Sequence, residues 1–189
     1  MTGSKPSLPD KVIAVHEQLR GAKISHAFSG DLALAYYTEP SPTAHIDLNV
    51  FVPVERWQEA IDALAPLGIE IEDLDPVALE RNHQCSLWWG NTSWDLFFAY
   101  DAIHEAMPKE ARRVPFAGTT LPILAPEHLA VCKAMFDRPK DWLDIEQMLV
   151  AAEGLDVTAV EGWLERMVGE GDPRLQRLAE LKAELSIPE

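Results

Sequence analysis

The chain has 189 residues, 47% of them hydrophobic, enough for one compact domain or a core with a small helical annex and too apolar for a disordered chain. Its formal net charge of −15 opposes any partner that is a long polyanion, whether duplex DNA or an anionic membrane. Cys85 and Cys132 match no ligand spacing and read as free thiols; no stretch resembles a signal peptide or could cross a bilayer, so a cytoplasmic protein is expected.

Ser7-Leu-Pro-Asp10 predicts a helix start, with Ser7 as cap, Pro9 in the first turn and Asp10 favourable to the dipole. Val12, Val15, His16 and Leu19 form its stripe, and Gly21 ends it. Residues 23–28 read as a first strand that stops at a Ser29-Gly30 turn, and a short apolar helix over 30–37 follows. Pro40 and Pro42 then force an extended path into a second strand over 45–52. There His45, Asp47 and Asn49 share one face, and Ile46, Leu48 and Val50 share the other. So dense a polar face is expected to lie outside the core.

Residues 54–67 predict an amphipathic helix carrying Trp57, Ile61 and Leu64, with Gly68 as its stop and a short strand at 69–71. Residues 84–89 and 93–100 read as a hairpin joined by Gly90-Asn91-Thr92, and its second strand carries Asp95 inside an apolar run. A helix over 101–110 is expected to break at Pro108, and residues 113–124 form a last hairpin turning at Gly118. The remainder is helical: one helix opens at Pro126-Glu127, another near Asp141, a capping box sits at Thr158-Ala-Val-Glu161, and Asp172-Pro173 starts the last.

Two stretches carry a family resemblance. The Ser29-Gly30 turn, the short helix, Glu39-Pro40-Ser41-Pro42-Thr43 and His45-Ile46-Asp47 resemble the nucleotidyltransferase superfamily, specifically its small AbiEii-like members. Their pattern is a Gly-Gly or Gly-Ser turn, a helix, Pro-Arg-x-Thr, then Asp-x-Asp on a strand. Pro126-Glu-His-Leu-Ala-Val-Cys-Lys133 followed by Arg138-Pro-Lys-Asp141-Trp-Leu-Asp144 resembles the family's second motif, a helix lysine and a following Lys-Asp-x-x-Asp. The chain departs from the pattern at His45, where the family has its first metal-binding aspartate, and at Ser41, where it commonly has arginine.

The resemblance covers residues 23–150 and implies an α+β fold: a nucleotidyltransferase-like core with a twisted mixed sheet and flanking helices over 7–125, and a C-terminal helical region over 126–189 packed on it. It implies metal-dependent transfer of a nucleoside monophosphate from a nucleoside triphosphate to an acceptor hydroxyl. Acceptors in such proteins are a transfer RNA end, a protein or a small molecule, and some members are toxins held by a partner antitoxin. The rival expectation is a catalytically silent module that binds a nucleotide or a partner protein.

Magnesium or manganese would sit on Asp47 and Asp95, because hard cations take carboxylate, phosphate and water oxygens. His45 is a third candidate ligand, although its imidazole suits zinc, copper or nickel better, and a non-ligating role is the other reading. Ser29 and Gly30 could present donors to a triphosphate; equally, Ser29 could cap the helix and Asp31 complement its dipole. By the resemblance Lys133 neutralises phosphate, Asp141 or Asp144 orients or deprotonates the acceptor, and Arg138 and Lys140 contact the nucleotide. Against this stand an Asp141 that caps a helix and a Lys133 in an ordinary ion pair. Trp88, Trp89 and Trp94 read either as base-stacking rings or as hairpin packing, and His16, His26, His83, His104 and His128 share no ligand spacing.

Overall fold

The computed structural model describes residues 6–40, 42–71 and 74–187; Ser41, one of the two departures from the family pattern, lies outside them. The elements in chain order are α1 (Leu8–Gly21), β1 (His26–Phe28), α2 (Gly30–Leu34), β2 (His45–Pro53), α3 (Trp57–Leu64), α4 (Pro76–Asn82), β3 (Gln84–Trp89), β4 (Thr92–Ala99), α5 (Ile103–Glu110), β5 (Arg112–Phe116), β6 (Thr119–Ile123), α6 (Pro126–Phe136), α7 (Pro139–Ala151), α8 (Val157–Val168) and α9 (Pro173–Glu184). The chain divides into two compact units, Met1–Leu32 with Pro42–Leu124, and Ala33–Ser41 with Ala125–Glu189.

The first unit contains the whole sheet, six strands in the order β3-β4-β2-β1-β6-β5. β2 pairs with β4, and β1 with β6, in parallel; the other neighbours are antiparallel, so the sheet is mixed. One face is built from Ile46, Leu48 and Val50 of β2 and Trp94, Leu96 and Phe98 of β4, all buried. α1 lies against α3 and β6, turning Val12, Val15 and Leu19 into the same core. The capping box at Ser7 and Asp10 forms as its sequence predicts. Lys11 is buried with them, its ammonium donating to the Trp89 carbonyl at 2.6 Å and to Thr92 Oγ1 at 2.9 Å, which ties α1 to the β3–β4 turn. Gly90 (φ +62°) is the first of the two residues in that turn, the position a II′ hairpin reserves for glycine.

One buried polar pair lies in this core. His26 Nδ1 is 2.9 Å from the Ile24 carbonyl, which can only accept, so Nδ1 carries the proton. Its Nε2 then accepts from His16 Nδ1 at 2.9 Å. Both rings are held neutral by burial, which pushes His26 down to about 4 against the upward pull of the Ile24 carbonyl. The outer strand β5 runs Arg112-Arg113-Val114-Pro115-Phe116, and the other outer strand, β3, is bridged at Trp88 by Glu70, whose N–H donates to the Trp88 carbonyl at 2.7 Å.

The second unit is helical. α6 packs on α7 and α8, and α8 on α9, around Leu129, Trp142, Ile145, Met148, Val160, Leu164 and Leu178. Among the described residues, no helix is long and apolar enough to cross a membrane.

Several predicted elements are corrected. The 54–67 helix is α3 with a 3-10 turn at each end, the 69–71 strand is only the Glu70 bridge, and the helix after Gly30 ends at Leu34. Pro108 does not break α5 but sits within it, near the end of the helix where only one backbone bond is lost. α7 begins at Pro139 and not near Asp141, and α8 is capped by Asp156 and not by Thr158.

Candidate active site

The parallel register of β2 and β4 places Asp47 directly opposite Asp95. Neighbouring strands lie about 4.8 Å apart and opposed residues share a face, so the two carboxylates stand side by side. On the outer side of Asp95, Ser86 of β3 is opposed to it and donates its hydroxyl to Asp95 Oδ1 at 2.5 Å. On the other side of Asp47, the Ser29 N–H donates to the Asp47 carbonyl at 2.9 Å, continuing the β1–β2 ladder by one step. Ser86, Asp95, Asp47 and Ser29 therefore form one polar row across four strands.

The turn at the end of that row is built around a missing side chain. Gly30 has φ +55°, and a Cβ at this position would lie 1.7 Å from Asp47 Oδ2. Glycine is thus required twice, for the left-handed backbone and for the contact with the carboxylate. The turn is fixed from below by Asn49, whose Nδ2 donates to Ser29 Oγ at 2.8 Å. Asn49 is buried, which corrects the expectation that the whole polar face of β2 lies outside the core: exposure falls from His45 through half-buried Asp47 to buried Asn49. Burial, and secondarily the nearby charge of Asp95, pushes the thiol of Cys85 up to about 12.

His45 does not complete a ligand set. It precedes Asp47 by two residues on the same face, a separation of about 6.6 Å along a strand, and its side chain is exposed. Among the described residues, no group of three or more His, Cys, Asp or Glu side chains is disposed to hold a metal ion. The adjacent Asp47–Asp95 pair nevertheless fits magnesium, which commonly takes one or two carboxylates and completes its octahedron with water and substrate phosphate.

The second motif falls in the second unit. Lys133 of α6 and Asp144 of α7 are both buried, and the ammonium donates to Asp144 Oδ2 at 2.6 Å. Asp141, only 1% exposed, accepts from the Arg138 N–H at 3.2 Å, from Nε at 2.7 Å and from Nη2 at 3.0 Å, closing a capping box at the start of α7. The Arg138 guanidinium also lies over the Phe136 ring, 4.9 Å from its centroid, and Lys140 is exposed on the first turn of α7. Of the predicted site residues, then, Ser29, Gly30, Asp47 and Asp95 are gathered in the first unit. Lys133 with Asp144, and Arg138 with Asp141, form separate pairs in the second. Ser86, which donates to Asp95, was not singled out from the sequence; the expected three-residue connection over 90–92 would set it opposite Leu96, and only the observed two-residue turn sets it opposite Asp95.

No protein-family model and no curated protein sequence matches this chain. Comparison with solved structures defines the fold, which is that of the nucleotidyltransferases. The chain resembles the solution structure of the antibiotic-resistance factor ANT(2'')-Ia at 17% identity, with a TM-score of 0.57 over 93% of this chain and 95% of that one. It likewise resembles the crystal structure of ANT(2'')-Ia in complex with adenylyl-2''-tobramycin, at 14% identity and a TM-score of 0.53 over 94% and 98% of the two chains.

Proposed function

We propose that the protein transfers a nucleoside monophosphate from a nucleoside triphosphate to an acceptor hydroxyl. The observation that carries this reading is the Asp47–Asp95 pair, two carboxylates in parallel register with the backbone of Gly30 against one of them, in a fold shared with nucleotidyltransferases. Two like charges directly opposite each other destabilise a sheet, and a cation between them would offset that repulsion.

In the proposed reaction the acceptor oxygen bonds to the α-phosphorus, the bond from that phosphorus to the β-phosphate oxygen breaks, and pyrophosphate leaves. Magnesium or manganese on Asp47 and Asp95 would offset the phosphate charge that repels the incoming oxygen. Ser86 keeps one oxygen of Asp95 engaged, so that its other oxygen is the one turned to the ligand. Gly30 lets the Asp47 carboxylate lie against the main chain beside Ser29, where a side chain would push it aside. In the second unit, the family resemblance gives Lys133 the task of neutralising phosphate, Asp144 or Asp141 that of orienting or deprotonating the acceptor, and Arg138 and Lys140 contact with the nucleotide. The net charge of −15 favours a small-molecule acceptor over a transfer RNA end. A toxin neutralised by a protein antitoxin would use the same chemistry.

A second reading, a silent module that binds a nucleotide without turning it over, is favoured by one observation: His45 stands exposed where a third ligand would complete the set. Thermal melting with each of the four nucleoside triphosphates, with and without magnesium or manganese, tests both. A metal-dependent rise in the midpoint is expected, and Asp47→Ala should abolish it. No rise with any nucleotide in either metal would overturn both readings. Binding with no label transferred from an α-labelled triphosphate, gained only on His45→Asp, would establish the silent module.

A further inference from the structure

We infer that Trp88 is the platform on which the base of the bound nucleotide stacks, so that the site discriminates among nucleotides by ring size and not by hydrogen-bonded readout. This rests on the nucleotidyl-transfer reading and deepens it. Ser86 and Trp88 are two residues apart on β3, and the Ser86 hydroxyl bonded to Asp95 fixes which face both occupy. Trp88 therefore shares the face of the carboxylate pair. It is diagonal to Asp95, a relation that places Cα atoms about 7–8 Å apart and within reach of a large side chain.

The other two tryptophans of the hairpin are accounted for. Trp94 is in the core, and Trp89 lies under the Lys11 ammonium, 5.7 Å from its ring centroid. Trp88 is 48% exposed, although its backbone is held on both sides, by Ser93 in the register of β4 and by the Glu70 N–H. An indole kept at the surface by a rigid backbone loses little entropy when a flat ring covers it. The row to which it belongs completes the seat: Trp88 and His45 are exposed at its two ends, and Ser93, opposed to both, is buried between them. That row places the two rings two strand spacings apart with the serine between them, one row from Asp47 and Asp95. The exposed Trp88 indole offers a flat apolar surface, and every base has a face to lay on it.

The test measures magnesium-dependent binding of ATP, GTP, CTP, UTP and inorganic tripolyphosphate to the full chain and to Trp88→Ala and Trp88→Phe. Purine nucleotides are expected to bind tighter than pyrimidine ones and to quench the emission of the exposed tryptophan. Trp88→Ala should weaken the purine nucleotides about 5- to 140-fold, the range set by base stacking, and leave tripolyphosphate unchanged, while Trp88→Phe recovers part of the loss. Unchanged nucleotide affinity in Trp88→Ala would overturn the platform while leaving the carboxylate site standing. Equal loss of tripolyphosphate, or a change of oligomeric state in ultracentrifugation without a change in nucleotide affinity, would reduce Trp88 to a packing residue. Failure of every ligand to bind the unaltered chain would sink the nucleotidyl-transfer reading as well, which no outcome specific to Trp88 does.

Discussion

The two units handle their paired acids in opposite ways, half-buried in the first and buried in the second. In the second, Asp144 is matched by the Lys133 ammonium and Asp141 by three donors of Arg138, so each carboxylate is neutralised where it stands. In the first, Asp47 and Asp95 are set side by side, with a serine hydroxyl on Asp95. The four aspartates thus divide by environment into two matched by a cation within the second unit and two set opposite each other in the sheet. Like charges set opposite each other in a sheet are a place where a bound cation would relieve repulsion.

That contrast can be broken most directly at Gly30. Gly30→Ala should abolish the metal-dependent thermal shift and cost about 3 kcal/mol or more in denaturant unfolding, because the new methyl overlaps the Asp47 carboxylate and the backbone is left-handed. A variant that melts and binds normally would mean that Asp47 is free to move aside, and the site is not preorganised. Next in size is the buried pair of the second unit. Lys133→Ala or Asp144→Ala alone should lose about 3–5 kcal/mol, and the double change to apolar residues much less, since a lone buried charge costs more than none. Equal losses in the single and double variants would show that packing, not charge, holds α6 to α7.

The His16–His26 pair supplies the intermediate case, buried and polar but uncharged. His26 is near 4 in the folded chain and 6.5 when unfolded, so the unfolded state binds the extra proton between those values. Stability from this pair is present in full above pH 6.5 and falls by about 3 kcal/mol as the pH drops toward 4. His26→Gln should flatten that part of the stability–pH curve. The smallest and most telling change is Asp95→Asn. It removes the like-charge contact and should stabilise the fold by about 0.2–1 kcal/mol while ending the metal response, the reverse of Asp144→Ala on both counts. Loss of stability in Asp95→Asn would place Asp95 with the fold-completing acids.

Much of this was legible because the signals were local. Alternation fixed the face of Asp47 and a glycine turn marked the hairpin that carries Asp95, but the expected connection of Gly90-Asn91-Thr92 is one residue too long, since Trp89 already pairs with Thr92, and the parallel pairing of Asp47 with Asp95 is a long-range contact. The misses were of a different kind. Asn49 belongs to the polar face by periodicity, yet it is buried, because its partner Ser29 is twenty residues away and the bond forms only when the sheet does. Asp141 was expected to begin α7, yet its carboxylate reaches back to the Arg138 N–H and starts the helix two residues sooner. α4 went unread although Asp75-Pro76 repeats the cap-then-proline signature recognised at Asp172-Pro173; its Asp75 accepts from Val77 and Ala78 as a cap should. The pairing of Lys133 with Asp144 depends on how two helices pack, which periodicity alone does not specify.

One consequence concerns the margins of the sheet. β5 presents two arginines and a proline along its free edge, and β3 has one of its outward carbonyls taken by Glu70. A foreign strand approaching either margin meets charge, a missing donor or an occupied acceptor. The sheet is therefore guarded at both margins against recruiting neighbours side to side, even in crowded solution, while its carboxylate face is left to other uses.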